Sequence, residues 1–161
     1  MGRNRLIGVI SDTHGVFDPK VPALFKNVDH ILHAGDIGNI LVYRQLQQLA
    51  PVTAVRGNID EANSLFELES QRTFELFGIR CFMIHALGHP HRLKPEMEKQ
   101  INRIQPRLVI FGHSHQPFVE RRGSILFFNP GSAGPKRFSL PRCLGLLEIE
   151  HGKVYGKIVE L

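Results

Sequence analysis

The chain has 161 residues, of which 42% are hydrophobic and 22% are charged. This composition excludes disorder as the main state, and at about 150 residues per domain the length predicts one domain over residues 1–161. No stretch reaches the roughly 18 apolar residues of a membrane-spanning helix, so no membrane contact is expected. The formal net charge of +5 favours an anionic partner, such as nucleic acid or a phosphorylated metabolite.

The start of the chain and its cysteines bear on cellular location. Only a short apolar run separates Arg5 from Ser11, and this is too short for the apolar region of a secretory signal. Cys81 and Cys143 lie far apart among apolar neighbours, which favours buried free thiols over a disulfide or a zinc site. The sequence therefore predicts a soluble cytoplasmic protein.

The first third of the chain alternates strand and helix patterns. Strands are predicted at residues 6–10, 30–32 and 52–55, and helical segments at residues 22–25 and 40–49. This order is typical of a largely parallel sheet with helices on its faces.

Strands dominate the rest of the chain. Residues 65–68, 73–77 and 79–84 predict a meander with Gly78 in a tight turn. A helix is predicted at residues 94–104. Further strands are predicted at 108–111, 118–120, 125–128, 144–149 and 154–159, with hairpin turns at Arg122-Gly123 and His151-Gly152. Two sheets packed face to face, with helices outside, would use every element.

Five short polar motifs each follow an apolar run. They are Asp12-Thr13-His14-Gly15, Gly35-Asp36, Gly57-Asn58-Ile59-Asp60, His85 and Gly112-His113-Ser114-His115. A strand that ends at Asp, Asn or His beside Gly brings a ligand side chain to the edge of a sheet. Carboxylate, amide and imidazole groups without thiolates suit manganese, iron, nickel or zinc.

Each motif alone has an ordinary structural explanation. An Asp-x-His sequence is more often a turn than a ligand pair, and His85 taken alone fits a buried core histidine. The pair His113 and His115 is more specific, because alternate residues of an extended segment lie on one face. Five motifs in this order, all at strand ends, favour a metal site.

Together these motifs resemble the calcineurin-like metallophosphoesterase superfamily, specifically its small single-domain phosphodiesterase branch. The resemblance runs from Ile7 to the Asn129-Pro130-Gly131-Ser132 segment. It implies an α/β fold, a four-layer α/β/β/α sandwich of two mixed β-sheets flanked by helices. It also implies two metal ions that share Asp36. The first would be held by Asp12, His14, Asp36 and His115, and the second by Asp36, Asn58, His85 and His113.

The chain departs from the family pattern at two positions. Many relatives carry His-Gly-His where this chain has His85-Ala86-Leu87-Gly88-His89, and the larger phosphatases have a catalytic His where this chain has Ile59. Protonation of the leaving group would then fall to His89, His14 or water. Arg56 is a further catalytic candidate as a phosphate contact, with an ordinary ion pair as the alternative.

The resemblance implies a metal-dependent phosphodiesterase that cleaves small or nucleotide-like phosphodiesters by in-line attack of a metal-bridging hydroxide. Manganese is the first choice of metal, with nickel, iron or zinc as alternatives. One of Lys136, Arg137 and Arg142 is expected to contact the substrate. Asp60 either orients a ligand loop or is an ordinary turn residue.

Two other functions stay open. One is a non-catalytic scaffold of the same fold that binds proteins, as a retromer subunit resembling this branch does. The other is a nuclease, which the basic charge favours. Against a nuclease, the chain has no Trp and only two Tyr to stack on bases. Self-association into a homo-oligomer is possible.

Overall fold

The computed structural model describes residues 2–62, 64–65 and 67–161. Ten strands occur in this part of the chain: β1 (Arg5–Ile10), β2 (His30–His33), β3 (Val52–Ala54), β4 (Gln71–Leu76), β5 (Ile79–Ile84), β6 (Leu108–Ile110), β7 (Phe118–Arg122), β8 (Ile125–Asn129), β9 (Cys143–Glu150) and β10 (Lys153–Glu160). The helices are α1 (Val21–Leu24), α2 (Ile40–Gln47), α3 (Pro95–Ile104) and two 3₁₀ helices, Asn58–Ala62 and Pro90–Arg92.

The strands form two mixed five-stranded sheets. The first has the order β10-β9-β1-β2-β3, and the second has the order β4-β5-β6-β8-β7. In the first sheet β1, β2 and β3 are parallel, while β9 and β10 add to it antiparallel. In the second sheet β5, β6 and β8 are parallel. Each sheet therefore brings the carboxyl ends of neighbouring strands to one edge.

Three clusters of apolar side chains separate the layers. The first lies between the sheets and includes Val9, Met83 and Phe128. The second packs α1 and α2 against the outer face of the first sheet, and the third packs α3 against the second sheet through residues such as Ile101. These layers confirm the α/β/β/α sandwich that the sequence predicts.

One expected strand is wrong. In the predicted strand 65–68, Leu65, Glu67 and Leu68 form a turn and bend, and Phe66 lies outside the described residues. The Leu68 amide donates to the Leu65 carbonyl at 3.1 Å, which closes a turn. Leu65 and Leu68 pack into the second apolar cluster. This packing explains why both residues are apolar without a strand.

The cysteines agree with the sequence prediction. Cys81 and Cys143 are both buried free thiols. Burial raises the pKa of the Cys81 thiol to about 12, with a contribution from Glu75. No helix among the described residues is long and apolar enough to cross a membrane.

The segment between β8 and β9 folds back onto the loop that follows β1. The Ala133 amide donates to the Ser11 carbonyl at 3.1 Å, and the Ser132 hydroxyl donates to the Asp12 carbonyl at 3.0 Å. Arg142 fastens this segment, because its guanidinium donates to the carbonyls of Gly134 and Ala133 at 2.6 and 2.9 Å.

The ion pair between Asp18 and Arg142, at 2.8 Å, gives a pH-dependent prediction. The Lys20 amide and Arg142 lower the pKa of Asp18 below 3.8, although burial opposes them. Its stabilisation is therefore present above that pH and is lost as the pH falls through the folded-state pKa. We expect Asp18→Asn to lower the urea midpoint of unfolding at pH 7, and we expect this deficit to shrink as the pH falls towards 2.

Glu67→Gln is the control, since it removes the same charge from an exposed side chain. An Asp18→Asn deficit of equal size at both pH values would contradict the role given to the Asp18 carboxylate.

Candidate metal centre

The five motifs meet at the edge where the parallel strands end. Asp12, Asp36 and Asn58 follow β1, β2 and β3, which are neighbours in the first sheet. His85 follows β5, and the motif with His113 follows β6, which is adjacent to β5 in the second sheet. The sandwich places these two edges against each other.

Asp12, His14 and His115 form one group whose ligand atoms all lie within 4.8 Å of one another. Asp12 Oδ1 is 3.2 Å from His115 Nε2 and 3.8 Å from His14 Nε2. The two Nε2 atoms are 3.3 Å apart. This is a compact set of one carboxylate and two imidazoles.

Asp36, His85 and His113 form the second group, again with ligand atoms within 4.8 Å. Asp36 and His85 are buried, and His113 is exposed. Asn58 lies beside this group, since it lines a cleft of about 280 Å³ together with Arg56, Glu61, Ser70, His85 and His113.

One oxygen of Asp36 adjoins both groups. Its Oδ2 is 3.3 Å from His85 Nε2 and 3.8 Å from His14 Nε2. The other oxygen, Oδ1, accepts a hydrogen bond from the Ile59 amide at 3.1 Å. Oδ2 is thereby held towards both groups, as a ligand shared by two ions would be.

The backbone at the two groups is unusual. Nine described residues other than glycine have left-handed φ angles, and five of these are candidate ligands: Asp12 (53°), His14 (47°), Asp36 (54°), His113 (71°) and His115 (60°). Such conformations are unfavourable for most residues and concentrate at functional sites. They also correct the expectation that His113 and His115 share one face of an extended segment. The left-handed angles bend the backbone between them, and each joins a different group, as the family resemblance implies.

The hydrogen bonds leave ligand atoms free to face a cation. His85 Nδ1 lies 2.7 Å from the Ala34 carbonyl, which accepts only if Nδ1 carries the proton. That leaves Nε2 as the lone-pair donor. His85 Nε2, Asp12 Oδ1 and His115 Nδ1 are buried side-chain atoms without a hydrogen-bond partner in the part of the chain that the structure describes. A bound ion would satisfy the first two, and the donor set therefore fits divalent metals.

Both carboxylates are held ionised. Burial alone would raise the pKa of Asp12, but the His115 and His85 imidazoles and the Ser11 hydroxyl lower it overall. Burial likewise opposes ionisation of Asp36, and its contacts with His85 outweigh this and lower the pKa.

Burial and the two carboxylates also shift the pKa values of the His14 and His85 imidazoles. Burial lowers the pKa of His14 and outweighs the opposing effect of Asp36 and Asp12. His85 behaves in the opposite way, because the carboxylates raise its pKa although burial alone would lower it. Two carboxylates facing a buried imidazole make this a site that attracts positive charge.

His33 ties the loops after β1 and β2 together. The Thr13 hydroxyl donates to the Ile37 carbonyl at 2.9 Å, so it accepts from His33 Nε2 at 3.0 Å. Nδ1 of His33 accepts from the Gly35 amide at 3.1 Å. Burial lowers the pKa of His33 to about 3. It is therefore a neutral structural histidine.

Asp60 connects the loops after β2 and β3. It is fully buried, and its carboxylate accepts from three amides, those of Ile37 (3.1 Å), Gly38 (2.9 Å) and Gly57 (2.9 Å). Of the two sequence interpretations, the structure favours the one in which Asp60 orients a ligand loop.

We expect Asp60→Asn to destabilise the fold by about 1–3 kcal/mol, because an amide nitrogen cannot accept from a backbone amide and leaves a buried donor unpaired. Weakened positioning of the ligand loops should also lower metal affinity about 10- to 100-fold. Urea unfolding and calorimetric titration with Mn²⁺ would measure the two effects. Unchanged affinity would show that Asp60 supports the fold without affecting the ligands.

The other sequence candidates lie in different places. Arg56 lines the cleft beside His85, and its guanidinium also donates to the Leu68 carbonyl at 2.7 Å. His89 caps the 3₁₀ helix Pro90–Arg92, and its ring contacts Phe118 at 5.6 Å between centroids. His89 is not among the described residues that line the cleft.

Two close approaches at glycine were not anticipated from the sequence. A Cβ on Gly112 would lie 2.1 Å from Ser11 Oγ, and Ser11 Oγ donates to Asp12 Oδ2 at 2.6 Å. A Cβ on Gly57 would lie 2.0 Å from Asp36 Oδ1. The occurrence of Gly beside the ligand residue in these motifs is the signal in the sequence that could have indicated the close approaches.

Known proteins show both the family and the fold. Residues 6–152 match the model of the calcineurin-like phosphoesterase superfamily domain. A probable metallophosphoesterase of Methanothermobacter thermautotrophicus is 33% identical over 96% of this chain and 91% of its own length. A phosphodiesterase of Methanocaldococcus jannaschii is 27% identical over 95% of this chain and 98% of its own.

Solved structures give the same architecture. Vacuolar protein sorting 29 from Cryptosporidium parvum superposes with a TM-score of 0.76 at 17% identity, covering 98% of each chain. At this identity the likeness concerns the fold. The family match over most of the chain, together with the named relatives, shows that this chain belongs to the calcineurin-like phosphoesterase superfamily.

Proposed function

We propose that the chain is a phosphodiesterase that uses two divalent metal ions, with manganese as the first choice. The observation that carries this proposal is the position of Asp36 Oδ2, 3.3 Å from His85 Nε2 and 3.8 Å from His14 Nε2. One carboxylate oxygen that adjoins two ligand groups can serve a pair of neighbouring ions. The phosphodiesterase relative from Methanocaldococcus jannaschii supports the choice of reaction.

Charge explains why most of the ligands are neutral. Two divalent ions carry +4, and the carboxylates of Asp12 and Asp36 reduce the total to about +2. The remaining ligands are one amide, Asn58, and four imidazoles, which leave this charge unchanged. The site would therefore keep a positive field for a phosphate anion.

When bound, the ions would supply an activated water and would stabilise charge on the phosphoryl oxygens. The chain itself orients the ligands. The Ala34 carbonyl fixes the proton of His85 on Nδ1, and the Ile59 amide holds Asp36 Oδ1. These contacts keep ligand lone pairs directed at the site without reorganisation during the reaction.

The cleft beside Asn58 and His85 is the proposed place for one ester group of the substrate. Its volume of about 280 Å³ suits a small group. Arg56 lies in its wall, where it can contact a phosphate oxygen while bonded to Leu68. Because His89 packs against Phe118 outside the cleft, we infer that water protonates the leaving group in preference to His89.

The test is hydrolysis of bis(p-nitrophenyl) phosphate and p-nitrophenyl phosphate by chelator-treated protein, with Mn²⁺, Ni²⁺, Zn²⁺, Mg²⁺ or no metal added back. We expect Mn²⁺ to restore diester cleavage, and we expect calorimetry to show two bound ions. No turnover with any metal, in a folded protein, would overturn the proposal and favour the scaffold of the same fold.

A further inference from the structure

Phe138 combines two features that the fold does not explain. Its side chain is 94% exposed, so it contributes nothing to the apolar clusters. Its φ angle is 51°, in the left-handed region, within a turn that the Leu140 amide closes onto the Arg137 carbonyl at 3.1 Å. This turn position favours Gly, Asn or Asp. An aromatic residue there is unfavourable for the backbone and gains no burial.

The other left-handed residues have an evident reason for their conformation. Of the nine non-glycine examples among the described residues, five are candidate metal ligands. Phe77 and His151 precede glycines in the turns of the β4-β5 and β9-β10 hairpins, and Gln105 ends helix α3. Phe138 is the remaining one, and unexplained outliers of this kind point to function.

The segment that carries the Phe138 turn begins against the loop of the first ligand group. A Cβ on Gly134 would lie 2.3 Å from the Asp12 carbonyl, so the segment touches the ligand loop itself. Arg137 follows Gly134 by three residues. Even a fully extended chain would place their Cα atoms no more than about 10 Å apart. The base of the segment is fixed by Arg142, which donates to the Gly134 carbonyl at 2.6 Å.

We propose that Arg137 and Phe138 form a specificity wall for one ester group of the substrate. Arg137 would pair with the phosphate, and Phe138 would stack on an aromatic ring attached to that phosphate. The preferred substrates would then be aryl or nucleoside phosphodiesters. This inference rests on the proposed function, because it assumes that a phosphate binds at the two ligand groups.

The site has two sides, and each would accept one of the two ester groups of a phosphodiester. The cleft with Asn58 and His85 adjoins the second ligand group, and the segment that carries the wall touches the Asp12 loop of the first at Gly134. A phosphate held between them would direct one ester group into the cleft and the other towards Phe138. Since Phe138 is open to solvent, it can stack on a ring without displacing other side chains.

The experiment measures binding to Mn²⁺-loaded protein by calorimetry, with phenyl phosphate and methyl phosphate as probes. We expect Phe138→Ala to weaken phenyl phosphate about tenfold, the scale of aromatic stacking, and to leave methyl phosphate unchanged. Arg137→Gln should weaken both probes. The matched control is Phe77→Ala, an exposed left-handed aromatic residue at the far end of β5 from His85.

A second measurement uses fluorescence. The chain has no Trp, so Phe138→Trp introduces a single reporter at an exposed position, and Phe77→Trp gives the matched control. Adenosine monophosphate should quench the first variant saturably and the second not at all, and inorganic phosphate should quench neither.

Equal affinities of wild type and Phe138→Ala for phenyl phosphate would overturn the inference even if wild type hydrolyses diesters. The expected binding pattern in a protein that hydrolyses no diester would support the wall and overturn the proposed function. The two failures are therefore distinguishable.

Discussion

Asp36→Ala is expected to abolish Mn²⁺-restored hydrolysis of bis(p-nitrophenyl) phosphate. Asp36 Oδ2 adjoins His85 in one ligand group and His14 in the other, so its loss weakens both at once. Removing a residue that only supports a ligand costs about 10- to 100-fold in activity or metal affinity, and loss of a shared ligand should exceed that. Initial rates and metal content per chain, measured on the same preparation, would test this.

Asp29→Asn is the matched control. Asp29 is also a shielded carboxylate and pairs with Arg3 and Arg5, but it precedes β2, whereas Asp36 follows that strand. We expect Asp29→Asn to lower stability while keeping metal content and turnover. If Asp36→Ala still bound two ions and hydrolysed the diester as fast as Asp29→Asn, Asp36 would not be a shared ligand that the reaction needs.

The strand-end positions of the motifs predict that the candidate ligands cluster, while the family resemblance implies their division into two groups. The parallel pairing of β1 with β2, and of β5 with β6, carries Asp12, Asp36 and His85 to one edge of the sandwich. Local pattern was a poorer guide to the Gly112–His115 motif. Its alternating histidines suggest an extended segment, yet both have left-handed φ angles. Their division between the two groups is the one that the family resemblance implies.

Contacts that depend on tertiary packing could not be predicted. The three amides bound by Asp60 belong to two loops whose approach is fixed only once the sheet has formed. The placement of His89 against Phe118 depends on how the 3₁₀ helix meets β7. The strand prediction at residues 65–68 was wrong for the same reason. Leu65 is apolar because it packs into the second cluster, which the local sequence does not reveal.

Glycine at the ligand motifs has a role besides allowing a left-handed backbone angle. Gly57 and Gly112 do not have the left-handed φ that Gly35 has. They are small because the Asp36 carboxylate lies against Gly57 and the Ser11 hydroxyl lies against Gly112. Sequence alone does not distinguish a glycine needed for its backbone angle from one needed for space.

Gly57→Ala is therefore expected to disable the metal centre although alanine can adopt the backbone conformation. The added Cβ would lie 2.0 Å from Asp36 Oδ1 and 2.3 Å from the Asp36 nitrogen, so the shared ligand must move. Overpacking of this kind costs about 1–3 kcal/mol of stability. We expect Gly57→Ala to lose most of the rise in melting temperature that Mn²⁺ gives the wild type.

Gly123→Ala separates this effect from simple destabilisation. Gly123 has a φ of 61° in the β7-β8 turn with open space around it, so alanine there strains the backbone without touching the site. We expect it to lower the melting temperature of the metal-free protein and to keep the full rise on Mn²⁺ addition. If Gly57→Ala kept that rise as well, Asp36 would be able to move without loss of metal, and the close packing against Gly57 would not be what positions the shared carboxylate.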